Sequence, residues 1–213
     1  MKRHTLTLTL LGLGLVFSQP GLAIGETAQA LQQQWAVVKY QTEEKARAKA
    51  FEQLAEQARQ AQQQHPGDAE VLVWEAIILS TWAGEKGGFG ALGLVKDAKV
   101  LLEQAEQIDP EVLDGSVYTS LGSLYYQVPG WPIGFGNDDK AEKYLKKALA
   151  LNPDGIDANF FYGDYLLEEG RYREAVQAFE TALKAPPRPG REVADAGRRD
   201  EIRAKLERAR KRL

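Results

Sequence analysis

Three segments of this chain superimpose without a gap. They are "DAKVLLEQAEQIDP" (Asp97–Pro110), "KAEKYLKKALALNP" (Lys140–Pro153) and "EAVQAFETALKAPP" (Glu174–Pro187). Each carries an alanine, a large apolar residue four later, an alanine seven later and a proline twelve later. The sets are Ala98/Leu102/Ala105/Pro110, Ala141/Leu145/Ala148/Pro153 and Ala175/Phe179/Ala182/Pro187. A degenerate fourth copy, Leu54/Ala58/Ala61/Pro66, exchanges small for large. This spacing puts three residues on one helical face. Two small residues per face let a neighbouring helix approach closely, and the proline stops the helix just past its end. Such a stripe, repeated, restricts the chain to a stack of paired helices.

The partner helices precede each copy. Tyr162-Gly163 followed by Leu166 leads the last, and Leu121-Gly122 followed by Tyr125, with Tyr118 a turn earlier, leads the one before. Leu72, Ala76 and Leu79 lead the first full copy. The pattern predicts helices near 26–40, 43–64, 69–83, 95–108, 115–127, 139–151, 156–169, 172–184 and 198–212, and no strand.

The arrangement resembles the tetratricopeptide repeat (TPR). That family places a large residue, Leu-Gly and Tyr on helix A, and Ala, Phe, Ala and Pro on helix B. The final unit, Ile156–Pro189, resembles it at nearly every position, with Asn159 departing at the first, and the resemblance covers residues 26–189. It implies an all-α, right-handed helical-hairpin solenoid of about four repeats. Ile202, Leu206, Ala209 and Leu213 form a stripe on which the basic segment 190–213 caps the last repeat, with Arg203–Glu207 and Glu207–Lys211 pairs outside. The resemblance further implies a non-catalytic scaffold without a cofactor. A protein or peptide partner would lie on the concave helix-A face, including Tyr118, Tyr125, Asn159 and Tyr162.

Two units depart from the family in the A–B turn. Gly163 to Ala175 spans twelve residues, the family spacing, but Gly122 to Ala141 spans nineteen and Ala76 to Ala98 twenty-two. The enlarged loops fall near 84–95 and 128–139, and each contains Gly-Phe-Gly. Neighbouring turns lie on one edge of a solenoid. The inserts are therefore expected to gather Trp82, Phe89, Leu92, Leu94, Trp131, Ile133 and Phe135. Left in water, each large side chain forgoes about 1.5–3 kcal/mol of burial. The cluster either packs on itself or forms a site for a partner or a small apolar ligand. The inserts also give a weaker resemblance to the T-component proteins of TRAP transporters, which implies a ligand channel or transporter docking. Those proteins are typically lipoproteins, and this chain has no cysteine.

Little else points to chemistry. The chain has no cysteine, and beyond residue 23 its one histidine is His65, at a helix end. That inventory excludes a thiolate site and leaves little room for zinc, and a Ser–His–Asp triad would have to use His65 although no serine sits in a nucleophile-elbow context. "GFGALG" (Gly88–Gly93) matches G-x-G-x-x-G but follows a helix, where the dinucleotide motif needs a strand. The acids of Gly136–Glu142 and Asn152–Asp157 sit at helix starts and read as caps rather than calcium ligands.

Lys2 and Arg3, the apolar run Thr5–Phe17 and Gly21-Leu22-Ala23 have the pattern of a signal peptide cleaved after Ala23. The expected product is periplasmic or secreted, without stable membrane insertion. Residues 188–213 hold ten Lys/Arg against five Asp/Glu, which leaves the body acidic and argues against nucleic acid as a partner.

Overall fold

The computed structural model describes residues 25–213. The signal-peptide pattern and its cleavage site lie outside the described residues. Nine helices follow in order among the described residues: α1 (Glu26–Gln41), α2 (Glu44–Gln64), α3 (Ala69–Lys86), α4 (Gly88–Ile108), α5 (Val112–Gln127), α6 (Asp138–Leu151), α7 (Ile156–Glu168), α8 (Tyr172–Lys184) and α9 (Glu192–Arg210). The first eight pair into antiparallel hairpins, with α1, α3, α5 and α7 side by side as the A layer.

The alanine stripes are the packing surface of the B helices. Ala98, Leu102 and Ala105 are fully buried, as are Ala141, Leu145, Ala148, Ala175, Phe179 and Ala182. The A-helix glycines meet the large residue between the alanines. A Cβ on Gly122 would sit 2.6 Å from Leu145 Cγ, and one on Gly163 would sit 2.8 Å from Phe179 Cδ1. The helices approach so closely at these points that only hydrogen fits.

The first expected enlarged loop, near 84–95, is a correction. The extra residues are helical: α3 runs on to Lys86 and α4 starts at Gly88. The turn is Gly87 alone, at φ 62° and ψ −179°, a conformation essentially confined to glycine. The second insert, between α5 and α6, is a loop. Ile133 and Gly134 N–H donate to Gly130 O, Gly136 N–H to Pro129 O and Asn137 N–H to Tyr125 O. A Cβ on Gly136 would lie 1.9 Å from Val128 O, so the loop closes only on glycine there. The Asn137 side chain then accepts from Lys140 N–H at 2.8 Å and caps α6.

Two other expectations shift. Residues 113–115 of α5 are in the left-handed region, so the regular helix begins at Ser116. Helix α9 begins at Glu192, well before the expected 198. Ile202, Leu206 and Ala209 are buried as the stripe requires, but Leu213 lies past the last turn and is 66% exposed. Arg203 pairs with Asp200 rather than Glu207, and Glu207 holds Lys211 at 2.6 Å.

The early start of α9 has a large consequence. Its C-terminal half packs on α8, while its N-terminal half reaches α1. Gly197 lies against the Tyr40 ring, and Tyr40 OH donates to Glu201 at 3.2 Å. The last helix thus bridges to the first and closes the solenoid on itself.

Candidate functional site

Closing the solenoid encloses a groove of about 2070 Å³. Its floor is the A layer. Helix α5 contributes Ser116, Thr119, Ser120, Ser123 and Gln127, a polar stripe at helical spacing. Helix α3 contributes Trp74, Ile77, Thr81 and Glu85 at the same spacing, and α1 contributes Gln32, Trp35 and Lys39. Trp35 Nε1 donates to Thr81 Oγ1 at 2.9 Å and ties the first two floor helices together.

The remaining wall is the C-terminal strap, residues 185–191, with the start of α9. Asp157 on α7 is its anchor. Arg188 reaches it at 2.7 Å, Arg198 at 2.8 Å and Arg191 at 4.0 Å. Burial alone would push the Asp157 carboxyl up, but the three guanidiniums outweigh it and hold the group well below the usual carboxylate range. Asp195 takes a second pair from Arg188 at 2.5 Å, and Glu201 takes one from Arg198 at 2.5 Å. The guanidiniums also stack. Arg191 lies 5.5 Å from the Trp74 ring centre and Arg198 lies 4.2 Å from that of Phe160. Arg198 is 8% exposed, and nothing in its sequence context marked it.

The proposed insert cluster divides. Phe89 and Ile133 line one end of the groove and are 91% and 59% exposed. Phe89 stands in the first turn of α4 and points outward, which follows from that segment being helix rather than loop. Trp131 is 89% exposed. Phe135 turns inward, edge-on to Tyr125 at 5.7 Å, and packs against both core clusters, with Lys99 above it at 5.8 Å. Trp82 and Leu94 pack on the core. The seven residues therefore do not form one cluster.

The A-helix tyrosines are a second correction. Tyr118 and Tyr125 do not line the groove; both stack on Tyr144 of α6, at 6.0 and 5.7 Å. They turn toward the B layer, and the groove face of α5 is the neighbouring serine stripe. Tyr162 stacks on Tyr165 at 6.5 Å, away from the groove. Asn159 is 5% exposed and gives both its amide hydrogens to the backbone, to Pro153 O at 2.7 Å and Gly155 O at 3.0 Å. It fixes the turn into α7, which explains why it departs from the family residue. The alternation Ser116/Ser120/Ser123/Gln127 was the sequence signal for the true groove face.

The remaining motif residues are structural. Gly88–Gly93 forms the first turns of α4 with helix before it. His65 caps α2, with Nε2 3.3 Å from Thr27 Oγ1. No helix among the described residues is long and apolar enough to cross a membrane.

Residues 134–199 match a family model described as tetratricopeptide repeat. No curated protein matches the chain in sequence. Among solved structures, MamA is similar at 20% identity and a TM-score of 0.45, over 79% of this chain and 92% of that one. A thermophilic TPR protein of Thermus thermophilus is similar at 20% identity and a TM-score of 0.43, over 84% and 99%. Pseudomonas aeruginosa PilF is similar at 18% identity and a TM-score of 0.35, over 85% and 91%. Gly122 and Gly163 seat on Leu145 and Phe179 in successive hairpins, and the tetratricopeptide-repeat match covers the second of these hairpins and the helix α6 of the first.

Proposed function

We propose that this protein is a non-catalytic, exported scaffold that binds a segment of another protein in the groove floored by α1, α3, α5 and α7. One observation carries the reading. The groove of about 2070 Å³ presents hydroxyls, amides and carboxylates at helical spacing, beside an apolar end at Phe89 and Ile133. Main-chain and side-chain groups of an extended segment find partners on such a surface, and its apolar residues find cover. Repeat proteins characteristically use this concave face for binding. Export rests on the pattern of Lys2, Arg3, Thr5–Phe17 and Gly21-Leu22-Ala23.

A photo-crosslinking residue at Ser120 tests the groove, with one at Lys143 on the exposed side of α6 as control. The expected result, in the native host, is one recurrent protein captured from position 120 and not from 143. Equal capture at both positions would refute the groove. Export is checked by the N-terminus of the mature chain, expected at Ile24.

A further inference from the structure

Charge along the groove is unbalanced. Ten carboxylates and five cations line it. Every cation is already paired: Lys39 with Glu85, Lys205 with Asp164, and Arg188, Arg191 and Arg198 with Asp157. Among the described residues, Asp68, Glu70, Asp109, Glu111, Asp114 and Asp154 line the groove without an ion-pair partner. Three of these have local roles. Asp68 caps α3, Glu70 accepts from Gly25 N–H and Asp109 accepts from Glu111 N–H. Glu111, Asp114 and Asp154 remain, from the turns leading into α5 and α7. A helix N-terminus offsets about half a charge, and these turns carry more than that.

The far end of the groove is apolar, at Phe89, Leu92 and Ile133. One wall of the groove, the strap, has a definite chemistry. The strap reads "APPRPGR" (Ala185–Arg191), an extended segment rich in proline and arginine. Its guanidinium at Arg191 stacks on Trp74, and Arg188 pairs with Asp157.

We propose that the groove takes an arginine-bearing extended segment of a different protein. Its guanidiniums face Glu111, Asp114 and Asp154, and its apolar side chains cover Phe89, Leu92 and Ile133. This rests on the groove reading above and adds the charge of the partner. Planar guanidinium matches carboxylate with two parallel hydrogen bonds, and on the strap Arg188 already donates to both Asp157 and Asp195. A second copy is disfavoured because its own Arg188 is already tied to Asp157 and Asp195 of the same chain, at the high effective concentration of a tether.

The probe is a labelled Arg-Pro-Leu repeat peptide, compared with its Gln-Pro-Leu and Glu-Pro-Leu counterparts by fluorescence anisotropy on the full chain. The arginine form binds tightest and weakens with added salt. The triple variant Glu111→Gln, Asp114→Asn, Asp154→Asn raises its Kd roughly tenfold while the circular dichroism melt is kept. Equal binding of the glutamate form, or an unchanged Kd in the triple variant, overturns the proposal. So does concentration-dependent dimerisation that the triple variant abolishes, which would assign the groove to a second copy. A protein captured from Ser120 through an acidic segment overturns the charge assignment while the groove reading stands. Capture only at Lys143 overturns both.

Discussion

Gly197 lies flat against the ring of Tyr40, at the opposite end of the chain. A Cβ on Gly197 would fall 2.2 Å from Tyr40 Cδ1. The Tyr40 hydroxyl donates to Glu201 one turn further along α9, and burial pushes its own ionisation well above the ordinary phenol range. This contact turns a stack of hairpins into a closed loop with a groove inside.

Replacing Gly197 by valine forces the Tyr40 ring aside. Overpacking of this kind costs about 1–3 kcal/mol. The expected result is a lower Tm and a larger radius of gyration by small-angle scattering, as α1 parts from α9. Gly93→Val is the control, because a Cβ there meets nothing within 4 Å. An unchanged radius of gyration for Gly197→Val would show that the contact does not hold the ring closed.

Asp157 holds three arginines, so Asp157→Asn leaves their charges facing one another. The loss is on the order of 2–3 kcal/mol, read as a drop in denaturation midpoint. The pH dependence has a definite sign. The carboxyl is held below its ordinary value, so its contribution is present above about pH 4 and fades as pH falls through the depressed folded value. Asp157→Asn should abolish that part of the acid sensitivity.

Glu75 is 7% exposed, and its Oε2 has no hydrogen-bond partner. Burial pushes its carboxyl up to about 6, against the opposing pull of Arg59. A raised acid works against folding once it ionises. Stability therefore falls as pH rises from about 4.5 to 6, and then levels. Glu75→Gln should gain up to about 2 kcal/mol at neutral pH and nothing at pH 4. Denaturant titrations at both pH values check this.

Trp131 and Phe135 come from one loop and have opposite fates. Trp131→Ala should change stability by less than about 0.5 kcal/mol, as surface substitutions do. Phe135→Ala removes a ring packed on Tyr125 between two core clusters, at a cost of about 2–3 kcal/mol. Equal effects in urea titrations would contradict the placement.

Gly122→Ala and Gly163→Ala insert a methyl that would lie 2.6 Å from Leu145 Cγ and 2.8 Å from Phe179 Cδ1. Both should lower Tm although alanine is the better helix former, because the packing cost of about 1–3 kcal/mol exceeds the propensity gain of about 1 kcal/mol.

Helix order and pairing were legible because they rest on local periodicity. Ala141, Leu145 and Ala148 announce a buried stripe by spacing alone, and Gly122 announces the close approach that receives it. The first insert misled because glycines at 87, 88, 90 and 93 read as loop. Neighbouring hairpins give long helices enough support to carry Gly88, Gly90 and Gly93 within α4. The site was less legible. Tyr118 and Tyr125 are large and recur at i, i+7, and so looked like a binding face. Which side of an A helix meets the B layer depends on rotation about its axis, and that is fixed by packing partners elsewhere in the chain.

The sequence by itself determined a stack of helical pairs and the residues at each seam, since those follow from spacings within a few turns. Only the tertiary structure decided that α9 returns to Tyr40, that Arg198 joins Arg188 on Asp157, and that a serine stripe rather than a tyrosine stripe floors the groove. These depend on the curvature summed over all the hairpins. Each seam contributes a small rotation, and no local pattern records the total.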